Sequence, residues 1–252
     1  MSMILKKVCG MLVILLFSYE VGISDSYIPT NYHKYESTVY NEIEDHFPEL
    51  LTPPIIAALI EHENCINLKW NSCWNPKTNF KTKWDNGLPR EEGAGMAMLT
   101  RAWRSNGLLR FDTLTNLKMK YPKELKEMTW SNIYDRPDLQ IRAMVLLWKS
   151  NYQKFSNKGL DYWDVVAMSD AAYNGGYSGV YKDTQICMLK KGCNHKIWFD
   201  NVETTCSKSK KVLYGTRSAC DINRHHVVDV LENNFIKYIQ IWDDNGYSGM
   251  VE

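Results

Sequence analysis

Six cysteines, Cys65, Cys73, Cys187, Cys193, Cys206 and Cys220, follow a seventh, Cys9, that lies in an apolar N-terminal segment. No other feature limits the fold as strongly, since every cross-link removes conformations open to the unfolded chain. Lys6 and Lys7 precede the apolar run VCGMLVILLFSY, and small residues follow before Asp25. That pattern predicts a secretory signal over residues 1–24, with an uncleaved weak membrane anchor as the alternative. An even set of cysteines in an exported chain points to disulfides, and the spacings are not those of a paired CxxC zinc site. Cys65 with Cys73, Cys187 with Cys193 and Cys206 with Cys220 would each close a short loop. Six cysteines nevertheless permit about fifteen pairings, and sequence does not choose among them. The expected location is periplasmic or secreted.

Loss of residues 1–24 removes Lys6, Lys7 and Glu20 and leaves acidic and basic side chains in equal number. No basic block or stripe stands out, so nucleic acid is not an expected partner, and contact with a membrane is expected only transiently through the N-terminal segment. A polar lead-in with one short amphipathic helix occupies residues 25–50, a helical core residues 51–176, and a cysteine-rich extension of the same domain residues 177–252. Helical periodicity dominates the core, broken at NPKTNFKTKWDNGLPREEGAG, YPKEL and YDRPDL. DLQIRAMVLLWKSNYQKF and DYWDVVAMSDAAYN read as buried helices, the second ending at Gly175 and Gly176, and DINRHHVVDVLENNFIKYIQIW as a last helix. No alternating run predicts a sheet. The expected fold class is mainly α, and the expected state is a monomer.

The stretch LTPPIIAALIEHENC, Leu51 to Cys65, concentrates the chemistry. Thr52 suits an N-cap and Pro53 the first helical position. Ile56, Leu59 and Ile60 share a face with Glu63, whereas Glu61 falls about 200° from Glu63 at roughly 100° per residue. Glu61 is therefore expected in solvent. Glu63 is expected against apolar surface, where lost hydration raises a carboxyl pKa and readies it to donate a proton. The plainer alternative is a last-turn Glu63 paired with Lys69 or an arginine.

ALIEHEN, EEGAGMAMLTRAW and AAYNGG, in that order, resemble the three signatures of the lytic transglycosylase and goose-type lysozyme group, particularly lysozyme-like proteins of phages and of bacterial wall-penetration systems. The resemblance covers roughly Leu51 to Gly176. It implies a lysozyme-like helical fold, here with a disulfide-stapled C-terminal extension, acting on peptidoglycan glycan strands. It implies Glu63 as the catalytic acid, a Gly-rich turn at Gly93, Ala94 and Gly95 as the cleft floor, and Tyr173 with Asn174 as the far wall. Asn64, Gly93, Gly95, Met96, Met98, Tyr173 and Asn174 would then lie along the substrate. Glycines allow close sugar approach, Asn174 offers donor and acceptor to an acetamido group, and Tyr173 an aromatic face. The chain departs from the group at Asn64, where serine is usual, and at Met98, where glutamine is usual. Met98 cannot make the hydrogen bonds of an amide, so a weakened enzyme or a glycan-binding module stays open beside the enzyme.

Glycosidic cleavage ordinarily uses two carboxyl groups. Only Asp170 accompanies the Tyr-Asn signature, one turn before Asn174, and it serves equally as a structural partner. Without a second carboxylate, the substrate's N-acetyl group assists and the muramyl 6-hydroxyl closes onto the anomeric carbon, giving a 1,6-anhydro product. Hydrolysis is the alternative, with Asp85, Glu91 or Glu92 holding a water. No cofactor is called for. Asp221 and His225 have the spacing of a metal pair but no evident third ligand, so no metal is expected. His226 and His62 receive no role. Among the tryptophans, Trp74 and Trp84 are the better candidates for sugar stacking.

Overall fold

The computed structural model of the protein describes residues 27–65 and 73–244. Residues 1–24, expected to be a secretory signal, and Lys69 and Trp70 lie outside the described residues. Helices dominate, as expected, and all three local cysteine pairs are disulfides: Cys65–Cys73, Cys187–Cys193 and Cys206–Cys220.

Helix α2 (Pro54–Asn64) is the centre of the molecule, with every residue from Ile55 to Ile60 at 0% exposure. Pro53 and Pro54 fix its entry, since both torsions are already helical and neither loses a useful N–H. Thr52 does not cap it; its hydroxyl instead pairs with the Tyr162 hydroxyl at 2.7 Å. The helix stops where Cys65 turns extended and joins Cys73. Beside it, α4 (Pro137–Ser156) packs against both α1 (Tyr32–His46) and α5 (Tyr162–Gly175). Arg142 of α4 forks onto both carboxylate oxygens of Glu42 in α1, at 2.7 and 2.9 Å. Asp161 caps α5 through the Trp163 amide.

A four-stranded antiparallel meander corrects the expectation of no sheet. Its strands are β1 (Asn79–Lys83), β2 (Pro89–Ala94), β3 (Leu99–Trp103) and β4 (Leu109–Asp112), in that order across the sheet. The strands are short and mostly charged on the open face, so alternation is faint. Their signal lies in the turns. Asn86-Gly87 and Asn106-Gly107 close three-residue hairpin loops, in which the Trp84 amide donates to the Leu88 carbonyl and the Arg104 amide to the Leu108 carbonyl. Asn86 and Asn106 each accept from the amide two residues on, and Asn86 donates to the Ser105 carbonyl, joining the two hairpin tips. Helix α3 (Thr113–Lys120), capped by Asp112, returns the chain to the helical body.

After the Tyr-Asn signature the chain enters α6 (Tyr177–Leu189) at once. The C-terminal part adds a small ribbon, β5 (Val212–Tyr214) with β6 (Arg217–Ser218), and then α7 (Ala219–Val228). A π-helical turn over Asp229–Asn234 joins α7 to α8 (Phe235–Asp244). Helix α7 packs on α5 and α8 on α2, which ties this segment to the helical core. Arg224 pins it further, donating to Asp183 at 2.7 Å and to the carbonyls of Glu203 and Thr205. Asp221 is held in a capping box with Ser218 and does not join His225 in a metal pair.

Candidate active site

Both acids of α2 are taken up by the C-terminal helices, and the order of burial is the reverse of that expected. Glu61 is 2% exposed, accepting from Tyr238 Oη at 2.7 Å and from Lys237 Nζ. Helical phase alone put it in solvent; α8 packs on that side and supplies the cation that makes the burial tolerable. Trp74, expected in the cleft, belongs to the same cluster: it is fully buried and donates its indole N–H to Tyr238 Oη at 3.1 Å.

Glu63 does sit at the edge of the core, but its neighbour is an imidazole and not an apolar wall. His226 Nε2 lies 2.9 Å from Glu63 Oε1, and His226 Nδ1 lies 2.7 Å from Asp170 Oδ2. The three side chains form a line whose exposures are 16% for Glu63, 1% for His226 and 0% for Asp170. Glu63 is thus the only member that reaches solvent. Burial alone lowers the basicity of His226, but the Asp170 carboxylate and the bond to Glu63 outweigh it and carry its pKa up to about 10. The imidazolium therefore persists at neutral pH. His62 packs edge-on against it, ring centroids 4.3 Å apart, and is pushed below the ordinary histidine range by burial and by the His226 charge.

Sequence reasoning missed His226, although a signal existed. Asn223, His226, Val227 and Val230 recur at i, i+3, i+4 and i+7, which is the buried stripe of this segment. A histidine in such a stripe needs partners for both nitrogens. Asp170 has a role as partner, and its other oxygen, Oδ1, has none among the described residues.

Tyr173 connects this line to a groove of about 750 Å³. Its ring stacks on His226 with centroids 6.5 Å apart, its hydroxyl donates to the Ala97 carbonyl at 2.6 Å, and it lines the groove. Burial, followed by the nearby Glu63 and Asp170 charges, pushes that hydroxyl well above the usual tyrosine range. Asn174 lines the groove beside it and accepts from Asn223 Nδ2 at 3.1 Å, which leaves its own amide donor without a partner among the described residues. The groove lining ends at Tyr173 and does not include Glu63.

The Gly-rich segment is built differently from the expectation. Gly93 and Ala94 are strand residues of β2, and the turn runs from Gly95 to Met98, where the Met98 amide donates to the Gly95 carbonyl. A Cβ on Gly93 would lie 2.8 Å from the Met98 methyl, and one on Gly95 would lie 2.4 Å from Gln140. What approaches these glycines is protein, not sugar. Gln140, fully buried on α4, accepts from the Met96 amide at 2.7 Å and donates to the Pro76 and Ile133 carbonyls, holding the turn in place. Met96 is itself core, and Ala97 and Met98 of this run line the groove. Asn64 is likewise corrected: it is 2% exposed and its amide is spent on Asn75, accepting from the backbone N at 2.6 Å and donating to the carbonyl. Trp84 belongs to the first hairpin, donating to the Trp103 carbonyl under the Arg90 guanidinium. Of the loop acids, Glu92 is locked by Arg101 and Lys81, while Glu91 lines the groove.

Comparison of the chain with family models, with curated proteins and with solved structures gave no match. The three disulfides suit an oxidising compartment, and among the described residues no helix is long and apolar enough to cross a membrane.

Proposed function

We propose that the chain is an exported lysozyme-like enzyme that cleaves the β-1,4 bond between N-acetylmuramic acid and N-acetylglucosamine in peptidoglycan, with Glu63 as acid and then base. The observation that carries this reading is the line Glu63–His226–Asp170 with Glu63 as its single exposed end. The His226 imidazolium donates its Nε2–H to Glu63, and Glu63 is the only member of the line placed to relay that proton to a ligand. A strand lying in the groove meets Tyr173 and Asn174, and Tyr173 stacks on His226, the partner of Glu63.

Asp170 is not a second catalytic carboxylate in this scheme. It and Glu63 sit on opposite nitrogens of one imidazole, so they cannot flank a glycosidic bond as the pair in a retaining or inverting glycosidase does. The reaction then needs no water. Glu63 gives its proton to the leaving glycosidic oxygen, the substrate's N-acetyl oxygen stabilises the anomeric carbon, and Glu63 takes the proton of the C6 hydroxyl as that oxygen bonds to C1. The product is a 1,6-anhydromuramyl end. Hydrolysis is favoured by one observation, the Glu91 carboxylate in the groove lining, which suits a water-holding role.

Murein zymography of the native chain and of Glu63→Gln tests the reading. General acid–base catalysis contributes about 10²–10⁴-fold, so clearing should fall by that factor in the variant. Clearing that survives Glu63→Gln shows that another group is the acid, and binding without clearing by the native chain shows a glycan-binding module. Mass spectrometry of the released muropeptides separates anhydro ends from reducing ends.

A further inference from the structure

The groove wall opposite the sheet turn is made by α3 and α4, and it is cationic. Lys120 closes α3, and Ser150, Asn151 and Lys154 lie on one face of α4 at helical spacing. Lys120 Nζ donates to Ser150 Oγ at 2.7 Å and keeps two further N–H groups. The Lys154 ammonium stands 4.9 Å over the Tyr177 ring. Neither lysine pairs with a carboxylate among the described residues, and Glu91, the only acid lining the groove, pairs with neither.

A second observation is independent of these charges. Asn151 is 3% exposed, lines the groove, and its Nδ2 has no hydrogen-bond partner among the described residues. A buried amide donor left unmade costs about 1–3 kcal/mol, and native proteins rarely tolerate it without a reason. The other cations of the groove are engaged elsewhere: Lys208 donates to the Gly175 carbonyl at 2.7 Å, and Arg110 lies over the Phe111 ring.

We propose that Asn151, Lys120 and Lys154 form a carboxylate subsite that holds the acid groups carried by a murein strand. The inference rests on the reading of this groove as a murein site. Its donors match a carboxylate, which accepts from several N–H groups at once. Burial and the Lys149 charge hold Lys120 below the ordinary lysine range, and burial and Lys120 do the same to Lys154, so a bound anion would relieve both. A murein strand offers the carboxylate from two sources: the lactyl ether of a peptide-free muramic acid, or the stem peptide.

Binding to the full exported chain carrying Glu63→Gln, which blocks turnover, tests the subsite with three oligosaccharides. One is a peptide-bearing murein oligomer, one the same oligomer stripped of peptide and so ending in lactyl carboxylates, and one chitohexaose, which has the acetamido groups and no carboxylate. At low ionic strength at least one acidic oligomer binds about tenfold tighter than chitohexaose, a difference of about 1.4 kcal/mol. High salt, which screens exposed charge pairs, brings the affinities together. Lys120→Met with Lys154→Met removes most of the preference and leaves chitohexaose affinity unchanged. Tight binding of the stripped oligomer assigns the site to the lactyl group; tight binding of the peptide-bearing one alone assigns it to the stem. Equal affinity for all three, or a double variant that weakens chitohexaose as much as the acidic oligomers, overturns the subsite while leaving the murein reading intact. Failure of all three to bind overturns both.

Discussion

Replacing His226 with glutamine removes the cation from between two carboxylates while keeping a side chain of similar reach. Asp170 suffers most, because it is fully buried and, among the described residues, only one of its oxygens has a partner, His226 Nδ1. Breaking a buried ion pair from one side costs about 3–5 kcal/mol, since a charge is left without compensation. In a domain of this size each kcal/mol moves Tm by about 2–4 °C, so the variant should melt roughly 6–20 °C below the native chain at neutral pH. The sign of the pH dependence follows from the raised pKa. Folding lifts His226 from 6.5 to about 10, so the folded chain binds the extra proton and the stabilisation is complete below pH 6.5. It is lost as pH rises through about 10. Scanning calorimetry of both chains across that window, with disulfides intact, should show the native Tm falling more steeply and the gap narrowing towards alkaline pH. A variant that melts with the native chain near neutrality, or a gap that does not change with pH, refutes the imidazolium bridge.

Lys237→Met should destabilise by about 3–5 kcal/mol, because Glu61 remains buried with only Tyr238 to hold it, and the paired change Glu61→Leu with Lys237→Met should recover most of that loss in urea titrations. Gly95→Ala should cost about 2–4 kcal/mol: φ is +73° there, and the new methyl would meet Gln140 at 2.4 Å. Its Tm is the readout, and an unchanged Tm would mean that the turn is looser than the geometry requires. Cys206→Ser with Cys220→Ser opens a cross-link spanning 14 residues at the start of α7, with an expected loss of about 3 kcal/mol by denaturant unfolding.

How much of this was legible depended on the range of the contact. Cysteine pairs separated by 6 to 14 residues could be proposed from sequence because short loops close at low entropic cost. Helix α2 could be read from its prolines and apolar run, and α5 from its aspartate cap and terminal glycines. The sheet was lost because its strands carry little alternation; Asn86-Gly87 and Asn106-Gly107, set in the similar phrases WDNGL and RSNGL, were the overlooked signal. Glu61 and Glu63 were assigned opposite surroundings from helical phase, but phase reports only which side of one helix a residue occupies. What covers that side was decided by α7 and α8, 163 to 177 residues away in sequence. Gly93 and Gly95 likewise read as open ground for a ligand, whereas Met98 and Gln140 fill the space.

The residues that neutralise both acids of the second helix lie 163 to 177 positions further along the chain. A nascent or truncated chain ending before α7 presents two bare carboxylates on an otherwise greasy helix and has no means of settling them. The Glu63–His226–Asp170 line and the packing of α7 on α5 therefore arrive together, and neither exists until α7 has docked.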